Sequence, residues 1–577
     1  MRFLLVALNT KYIHSNPAIY SLRGYVPEEN RKHVDIAEYT INNSVGEILA
    51  GIYEKKPDVI GLSCYIWNIS MILELVRELP KLLPKVPIFL GGPEVTYRAE
   101  ELMDQYPQLT GIMVGEGEET FAELLNFYIT GEGALAKIGG LCLKDGFTAQ
   151  RPLTDINKLP FLYDDLTDFE NKIIYYESSR GCPFRCSYCL SSIDKTVRLR
   201  DIEIVKKELD FFLAHNVKQV KFVDRTFNCN RDHAMAIWRH ILENDNGVTN
   251  FHFEVSADLL TEEEIALLNQ MRPGLAQLEI GVQSTNLETI KAIRRSMNLE
   301  KLAANVVAVN KGENVHQHLD LIAGLPHEDY ESFANSFNEV YAMKPEQLQL
   351  GFLKVLSGSY MYEMAEEYGM VYMDKPPYEV LYTKWLSYDD VMRLKRIEEM
   401  VEMYYNSNQF VHTISVLQMA FRSPFAMYEA LADFFTEKGY FLQNPARSYR
   451  YQVLLDFACS VDAENEKLYR ELLTFDLYLR EKAKSRPEFA LFKEEDREFV
   501  REFYMQEAEQ RRYLPSYEGY DSKQLLKMTH LESFAYPVWE KDGEKIVQKL
   551  TQPTYILFDY KKRSPLTGDA QITVVNA

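Results

Sequence analysis

The segment Cys182-Pro-Phe-Arg-Cys186-Ser-Tyr-Cys189 places three of the chain's seven cysteines within eight residues, as C-x3-C-x2-C. Thiolate is the usual protein ligand of iron–sulfur clusters. Three thiolates from one loop can hold three irons of a cubane, leaving the fourth iron open to a substrate or cofactor. Structural zinc asks instead for a fourth Cys or His at finger-like spacing. The nearest candidates, Cys229 and His233, lie beyond the next apolar run, and zinc or plain packing stays open as the alternative.

Such a loop has to be held at the end of a rigid element. It follows an apolar run at residues 173–177, and further runs lie at 219–223, 251–255, 277–280, 316–322 and 347–353. Helical periodicity at 202–214, 262–270, 287–293 and 330–343 fills most of the gaps. Six strands alternating with helices predict a partial or full (β/α) barrel, whose chemistry belongs at the strand carboxyl ends. Asp224, Glu254, Glu279, Gln283, Ser284 and Gly324 fall at those ends. Each is also compatible with a strand end that touches no ligand.

Ahead of this region, apolar runs at 3–8, 33–37, 59–63, 87–90 and 111–114 alternate with helical patterns at 44–55, 69–83, 97–105 and 119–128. Near-continuous apolarity suits strands buried on both faces. The alternation implies a doubly wound α/β domain with a parallel sheet, whose ligand lies beyond the strand carboxyl ends. Those ends carry Asn9 to Pro17, then Ser63-Cys64-Tyr65-Ile66-Trp67-Asn68, Gly91-Gly92-Pro93-Glu94 and Gly115-Glu116-Gly117-Glu118. Glycine lets backbone approach a ligand closely, although ordinary strand-to-helix turns use the same pairs. No G-x-G-x-x-G follows the first strand, so a dinucleotide site is poorly supported.

Residues 131–170, punctuated by Gly131, Gly133, Gly139-Gly140, Gly146, Pro152 and Pro160, read as a linker with a small hairpin. From about residue 381, helical stretches dominate at 388–405, 423–438, 463–483 and 494–510, before a β-rich end at 546–575. The tyrosines of these helices suit either a core or a binding surface. Arg447, Arg450, Arg511 and Arg512 suit an anionic substrate such as RNA or solvated charge.

The 577 residues suggest three to four domains. A formal charge of −21 argues against nonspecific duplex-DNA binding, which needs a basic footprint. With 37 Tyr and 31 Phe, general disorder is excluded. No apolar run reaches the roughly eighteen residues of a membrane span. The run at 3–8 ends at Asn9 without a small-residue cleavage site, so it reads as a buried strand rather than a signal peptide. An odd count of seven cysteines does not resemble a disulfide framework, and a cytoplasmic protein is expected.

The cysteine array, with Tyr188 before its last member and Glu177-Ser178-Ser179-Arg180-Gly181 leading into it, resembles the signature of the radical SAM superfamily. The resemblance implies a partial (β/α)6 barrel over residues 168–380, after a linker at 136–167. It also implies a [4Fe-4S] cluster on Cys182, Cys186 and Cys189, whose open iron binds S-adenosylmethionine (SAM). Tyr188 would pack near the adenine, and Asp224 would meet the SAM amino group by a charge-assisted hydrogen bond. Glu254 and Glu279 sit at comparable strand ends; Gln283 and Ser284 would bond the ribose. Asp320-Leu-Ile-Ala-Gly324-Leu325-Pro326 resembles the turn that backs the adenine, with His327-Glu328 where the family usually has Gly-Glu.

Residues 1–135 then resemble the Rossmann-like cobalamin (B12)-binding domain found ahead of many such barrels. That likeness assigns the corrin site to Asn9, Ser63, Tyr65, Trp67, Gly91, Gly92, Pro93, Glu94, Gly115, Glu116 and Gly117. The D-x-H-x-x-G that supplies a histidine to cobalt in many of these domains is missing: Asn9 and His14 do not keep its spacing. A cofactor without histidine ligation is implied, with His14 a loop residue rather than a cobalt ligand. Residues 381–577 resemble an uncharacterised, mainly helical domain that accompanies this pair and is a possible seat of substrate choice.

The family chemistry implied is methylation of an unactivated carbon. One SAM recharges cobalt with a methyl group; another, cleaved by one electron, yields the 5'-deoxyadenosyl radical that removes a hydrogen atom. The electron would come from a reducing protein such as flavodoxin or ferredoxin. Cyclisation or rearrangement without methyl transfer and a noncatalytic cobalamin or redox sensor are the alternatives. A methylthiotransferase is disfavoured, because only Cys64 and Cys142 precede the array and cannot supply a second cluster.

Overall fold

The computed structural model describes residues 1–491, 496–540 and 543–575. Its first layer is a seven-stranded sheet in the order β2-β1-β3-β4-β5-β6-β7. The strands are β1 (Phe3–Asn9), β2 (Val34–Thr40), β3 (Val59–Ser63), β4 (Ile88–Gly91), β5 (Gly111–Met113), β6 (Leu141–Leu143) and β7 (Gly146–Phe147). Every residue of β1 is buried, because helices cover both faces of the sheet and β1 pairs in parallel with β2 on one side and β3 on the other. The helices fall where periodicity predicts them, at Val45–Glu54, Ile69–Leu82, Ala99–Gln105 and Glu118–Thr130. A capping box between Ser44 and Glu47 starts the first of these by satisfying its free backbone N–H groups. A further helix, Pro17–Tyr25, begins inside the stretch expected to be a ligand loop, with proline in its first turn. The linker's hairpin is not free-standing: β6 runs antiparallel to β5 and extends the sheet.

The second sheet contains β8 (Ile174–Tyr176), β11 (Gln219–Phe222), β12 (Asn250–Val255), β13 (Ala276–Gln283), β14 (His316–Ala323) and β15 (Gln347–Phe352). Their order is β15-β14-β13-β12-β11-β8, and every neighbouring pair is parallel. The sheet is an open arc with β8 and β15 at its edges, which is the partial barrel expected. A small antiparallel pair, β9 (Ser179–Arg180) with β10 (Arg198–Leu199), brackets the cysteine loop. Side chains alternate along each strand. Phe222, Phe253, Leu278, Ile280 and Leu319 are fully buried in the main core. The residues between them (Lys221, His252, Glu254, Glu279, His318 and Asp320) are polar and take the opposite, concave face.

The remaining region is helical, with Tyr388–Val401, Pro424–Lys438, Arg450–Val461, Glu466–Arg480 and Asp496–Gln510 as its main elements. Residues 494–495, expected to open the last helix, lie outside the described residues. The expected β-rich end starts earlier than its apolar runs suggest. Strands Thr529–Phe534, Thr554–Arg563 and Ala570–Val575 form one antiparallel sheet, and Gly543–Ile546 is a helical turn. Tyr404, Tyr428, Tyr451 and Tyr469 are buried and build core, whereas Tyr388 and Tyr449 stay exposed. Phe337 of the barrel helix Tyr330–Ala342 packs edge-on against Phe425 and Tyr428 at 5.5 and 5.9 Å. Burial of such rings contributes roughly 1.5–3 kcal/mol each. The barrel and the C-terminal helices therefore share one continuous core. Among the described residues no helix is long and apolar enough to cross a membrane.

Candidate active site at the meeting of two cavities

Only glycine fits at residue 181, where φ is +98° and a Cβ would stand 2.1 Å from the Thr196 carbonyl oxygen. The turn it permits leads from β9 into the cysteine loop. The loop is held from outside: the Ser187 N–H donates to the Ile293 carbonyl at 2.9 Å, and the Met361 N–H donates to the Ser187 carbonyl at 2.8 Å. Cys182, Cys186 and Cys189 line a cavity of about 190 Å³ at the barrel mouth, together with Tyr188, Glu254, Glu279 and Gln283. Six separate segments of sequence reach this space, the others being Arg225–Thr226, Arg295–Ser296 and Asp320 beside the cysteine loop and the ends of β12 and β13.

The donor set decides between the metal alternatives. Among the described residues no three Cys, His, Asp or Glu side chains converge on a single ion. His233 Nε2 lies 3.3 Å from Ser178 Oγ, and Cys229 does not line the cavity. Three thiols spread around an open cavity fit a multi-iron cluster with one free position better than tetrahedral zinc.

Charge within the cavity is set by its walls. Burial pushes the Cys186 thiol up, while the Arg295 guanidinium pulls it back down. Arg295 Nη1 lies 3.6 Å from Cys186 Sγ and 3.4 Å from the Tyr188 hydroxyl, and Nη2 donates to the Gly281 carbonyl. Burial raises Glu254 to about 7 against the pull of Arg225. Glu279 is partly buried, but bonding to His252 and the charge of Lys221 outweigh that and hold it at about 2. Its Oε2 lies 2.9 Å from His252 Nε2 and 3.0 Å from Lys221 Nζ.

Three expected SAM contacts are used otherwise. Asp224 is almost fully buried and accepts from the Ser178 N–H at 3.0 Å and from the hydroxyls of Ser178 and Ser179 at 2.7 and 2.5 Å. It fastens the strand that enters the cysteine loop and does not line the cavity. Burial raises its carboxyl to about 6 despite these donors. Ser284 is fully buried and donates to Glu328 Oε1 at 2.6 Å. Gly324 faces Val380, whose Cγ1 would stand 2.6 Å from an added Cβ.

A second cavity, about 480 Å³, opens between the carboxyl ends of β3 to β5 and the cysteine loop. Of the residues expected to hold a corrin, Ser63, Tyr65, Gly91, Gly92, Pro93, Gly115, Glu116 and Gly117 line it. Gly92 is obligatory, since φ is +124° and a Cβ would lie 2.3 Å from the Cys64 carbonyl oxygen. Asn9, Trp67 and Glu94 do not line it. Asn9 donates to the His14 carbonyl and to Glu38. Trp67 stacks behind Tyr65 at 4.5 Å and donates to the Leu8 carbonyl. Glu94 accepts from the Tyr378 hydroxyl. His14 turns from the cavity to the barrel, with Nδ1 2.5 Å from the Tyr175 hydroxyl.

Neither cavity is lined by a residue beyond Asp320, which separates the C-terminal helices from the site. Arg447 and Arg450 bond within that region, to Gln409 and the Pro445 carbonyl. Arg295 and Arg225 also line the cluster-side cavity, beyond the residues expected there. Neither carries a local signal: Arg295 follows a helix end and Arg225 sits beside the more conspicuous Asp224.

This arrangement agrees with comparisons to known families. Residues 4–125 match the B12 binding domain, and residues 176–340 match the radical SAM superfamily. Residues 366–558 match a protein of unknown function family, DUF4080. The chain therefore carries a B12-binding domain followed by a radical SAM domain. It is 27% identical over 369 residues to the cobalamin-dependent radical SAM methyltransferase TokK of Streptomyces tokunonensis, covering 58% of this chain and 53% of that protein. It is 26% identical over 326 residues to 2-(S-pantetheinyl)-carbapenam-3-carboxylate methyltransferase of Streptantibioticus cattleyicolor, covering 52% of this chain and 46% of that one. The chain thus spans about half the length of these two curated relatives. In fold it resembles OxsB, a cobalamin-dependent SAM radical enzyme solved with aqua-cobalamin and SAM bound, at a TM-score of 0.57 and 15% identity over 81% of this chain and 79% of that one.

Proposed function

We propose that this chain is a cobalamin-dependent radical SAM enzyme that methylates an unactivated carbon. The observation that carries the reading is the adjacency of the two cavities, which share Arg225 as a wall and are divided by the cysteine loop. When bound, the cluster supplies the electron that cleaves SAM to a 5'-deoxyadenosyl radical, and cobalamin supplies the methyl group. The chain's part is positional. Cys182, Cys186 and Cys189 hold three irons as thiolates, with Arg295 stabilising the Cys186 thiolate. Tyr188, Glu254 and Gln283 face the SAM side, and Arg295 also offers its guanidinium to the SAM carboxylate. Gly92, Gly115 and Tyr65 shape the corrin side. A reducing protein of the flavodoxin or ferredoxin type donates the electron. The first step is homolytic, so no general base is required.

Anaerobic reconstitution with iron, sulfide and cobalamin, followed by reduction in the presence of SAM, tests this. The expected result is a cubane electron-paramagnetic signal perturbed by SAM, with 5'-deoxyadenosine released. Cys186→Ala should abolish release while bound corrin keeps its absorbance. A reduced cluster that yields no 5'-deoxyadenosine would favour a sensor instead. Mass spectrometry of a deletion strain, seeking a species short of one methyl group, addresses methylation itself.

A further inference from the structure

From the geometry we infer that Arg225 is the anchor for an anionic group, a carboxylate or a phosphate, on the substrate. This rests on the function proposed above and adds a substrate class to it. Arg225 immediately follows β11 and lines both cavities, at the passage a substrate must occupy to face SAM on one side and cobalt on the other. Its side chain is exposed, and among the described residues its guanidinium has no hydrogen-bond or ion-pair partner. Nearby carboxylates are mostly engaged elsewhere. Asp224 accepts from Ser178 and Ser179. Glu177 is held in a two-point pair by Arg180, at 2.9 and 2.8 Å. Glu279 is held by Lys221 at 3.0 Å. Glu254 lines the cluster-side cavity with Arg225, but among the described residues no hydrogen bond or ion pair joins the two.

In the reading proposed above the SAM carboxylate is taken by Arg295, which lines the cluster-side cavity. A guanidinium without a partner at a shared doorway is suited to two-point recognition of a planar carboxylate or of phosphate oxygens. In a chain of net charge −21 such a group also gives an anionic substrate a local point of attraction.

Full-length protein loaded with cluster and cobalamin provides the test, with inorganic phosphate and acetate as probes. Either anion should raise the thermal midpoint of the wild type, and phosphate should slow labelling of Arg225 by phenylglyoxal, followed on the peptide containing it. R225K should retain the anion response and R225Q should lose it. Corrin content should stay within about twofold of wild type in R225Q, as should SAM affinity measured at about pH 9, where Glu254 is ionised with or without Arg225. A roughly tenfold loss of SAM affinity in R225Q would reassign the cation to SAM, and loss of corrin would reassign it to cobalamin. Equal anion responses in wild type and R225Q, or labelling of Arg225 indifferent to phosphate, would overturn the inference. The labelling needs no variant, so a misfolded R225Q leaves the test intact. If the wild type binds these anions at Arg225 but releases no 5'-deoxyadenosine, the reaction reading fails and the anion site stands.

Discussion

Arg198, just past the cysteine loop, reaches back to Glu116 at the carboxyl end of β5, with Nη2 2.6 Å from Oε1. Arg180 approaches the same carboxylate at 3.4 Å and Glu118 at 3.0 Å. The wall of the corrin-side cavity is thereby tied to the strands that frame the cysteines. Burial disfavours a charged Glu116, but bonding to Arg198 and to the Thr154 N–H and the charge of Arg180 outweigh it and hold the carboxyl at about 2.

Because that value lies below the ordinary carboxylate range, the stability it brings is present at neutral pH and is lost as pH falls from about 4.5 toward 2. After discounting for partial exposure, it amounts to about 2 kcal/mol. E116Q should therefore melt below wild type at pH 7, and the difference should close as acid is added. Calorimetric melts across that range check this.

Asp224→Asn replaces an acceptor of three hydrogen bonds with an amide that must turn a donor toward one of them. The expected cost is about 1–3 kcal/mol, concentrated where β9 enters the cysteine loop. Iron content after reconstitution should fall while corrin binding survives. Equal loss of both would mean that the whole chain, not the loop, had been disturbed.

Glu254 should make SAM binding pH-dependent. Its carboxyl, raised to about 7 by burial, gains charge as pH passes upward through neutrality. A carboxylate receives a cationic donor better than an acid does. SAM affinity of the loaded protein, measured by equilibrium dialysis, should rise between about pH 6 and 8. E254Q should give a flatter and weaker profile.

Gly92→Ala forces a Cβ against the Cys64 carbonyl at a backbone angle side chains rarely adopt. The loop between β4 and its helix must move, at a cost of at least about 2 kcal/mol. The variant should lose corrin retention, measured as absorbance after gel filtration, before it loses SAM binding.

Both sheets and the cysteine array were legible in the residues, because each depends on local pattern. Continuous apolar runs such as 3–8 and 59–63 declare strands buried on two faces, and a C-x3-C-x2-C loop needs no partner from elsewhere to announce metal chemistry. The C-terminal sheet was only half legible: Thr529–Phe534 alternates weakly and acquires strand character by pairing with Thr554–Arg563. The fate of individual polar groups was not legible. Asp224, Glu94 and Ser284 carry the right chemistry at the right strand ends, yet Ser178, Tyr378 and Glu328 reach them first. Arg225 and Arg295 have no pattern to mark them and acquire their places only when the arc of strands closes around the loop. Periodicity fixes which way a strand faces, whereas the partner of a charge depends on distances that only the folded chain sets.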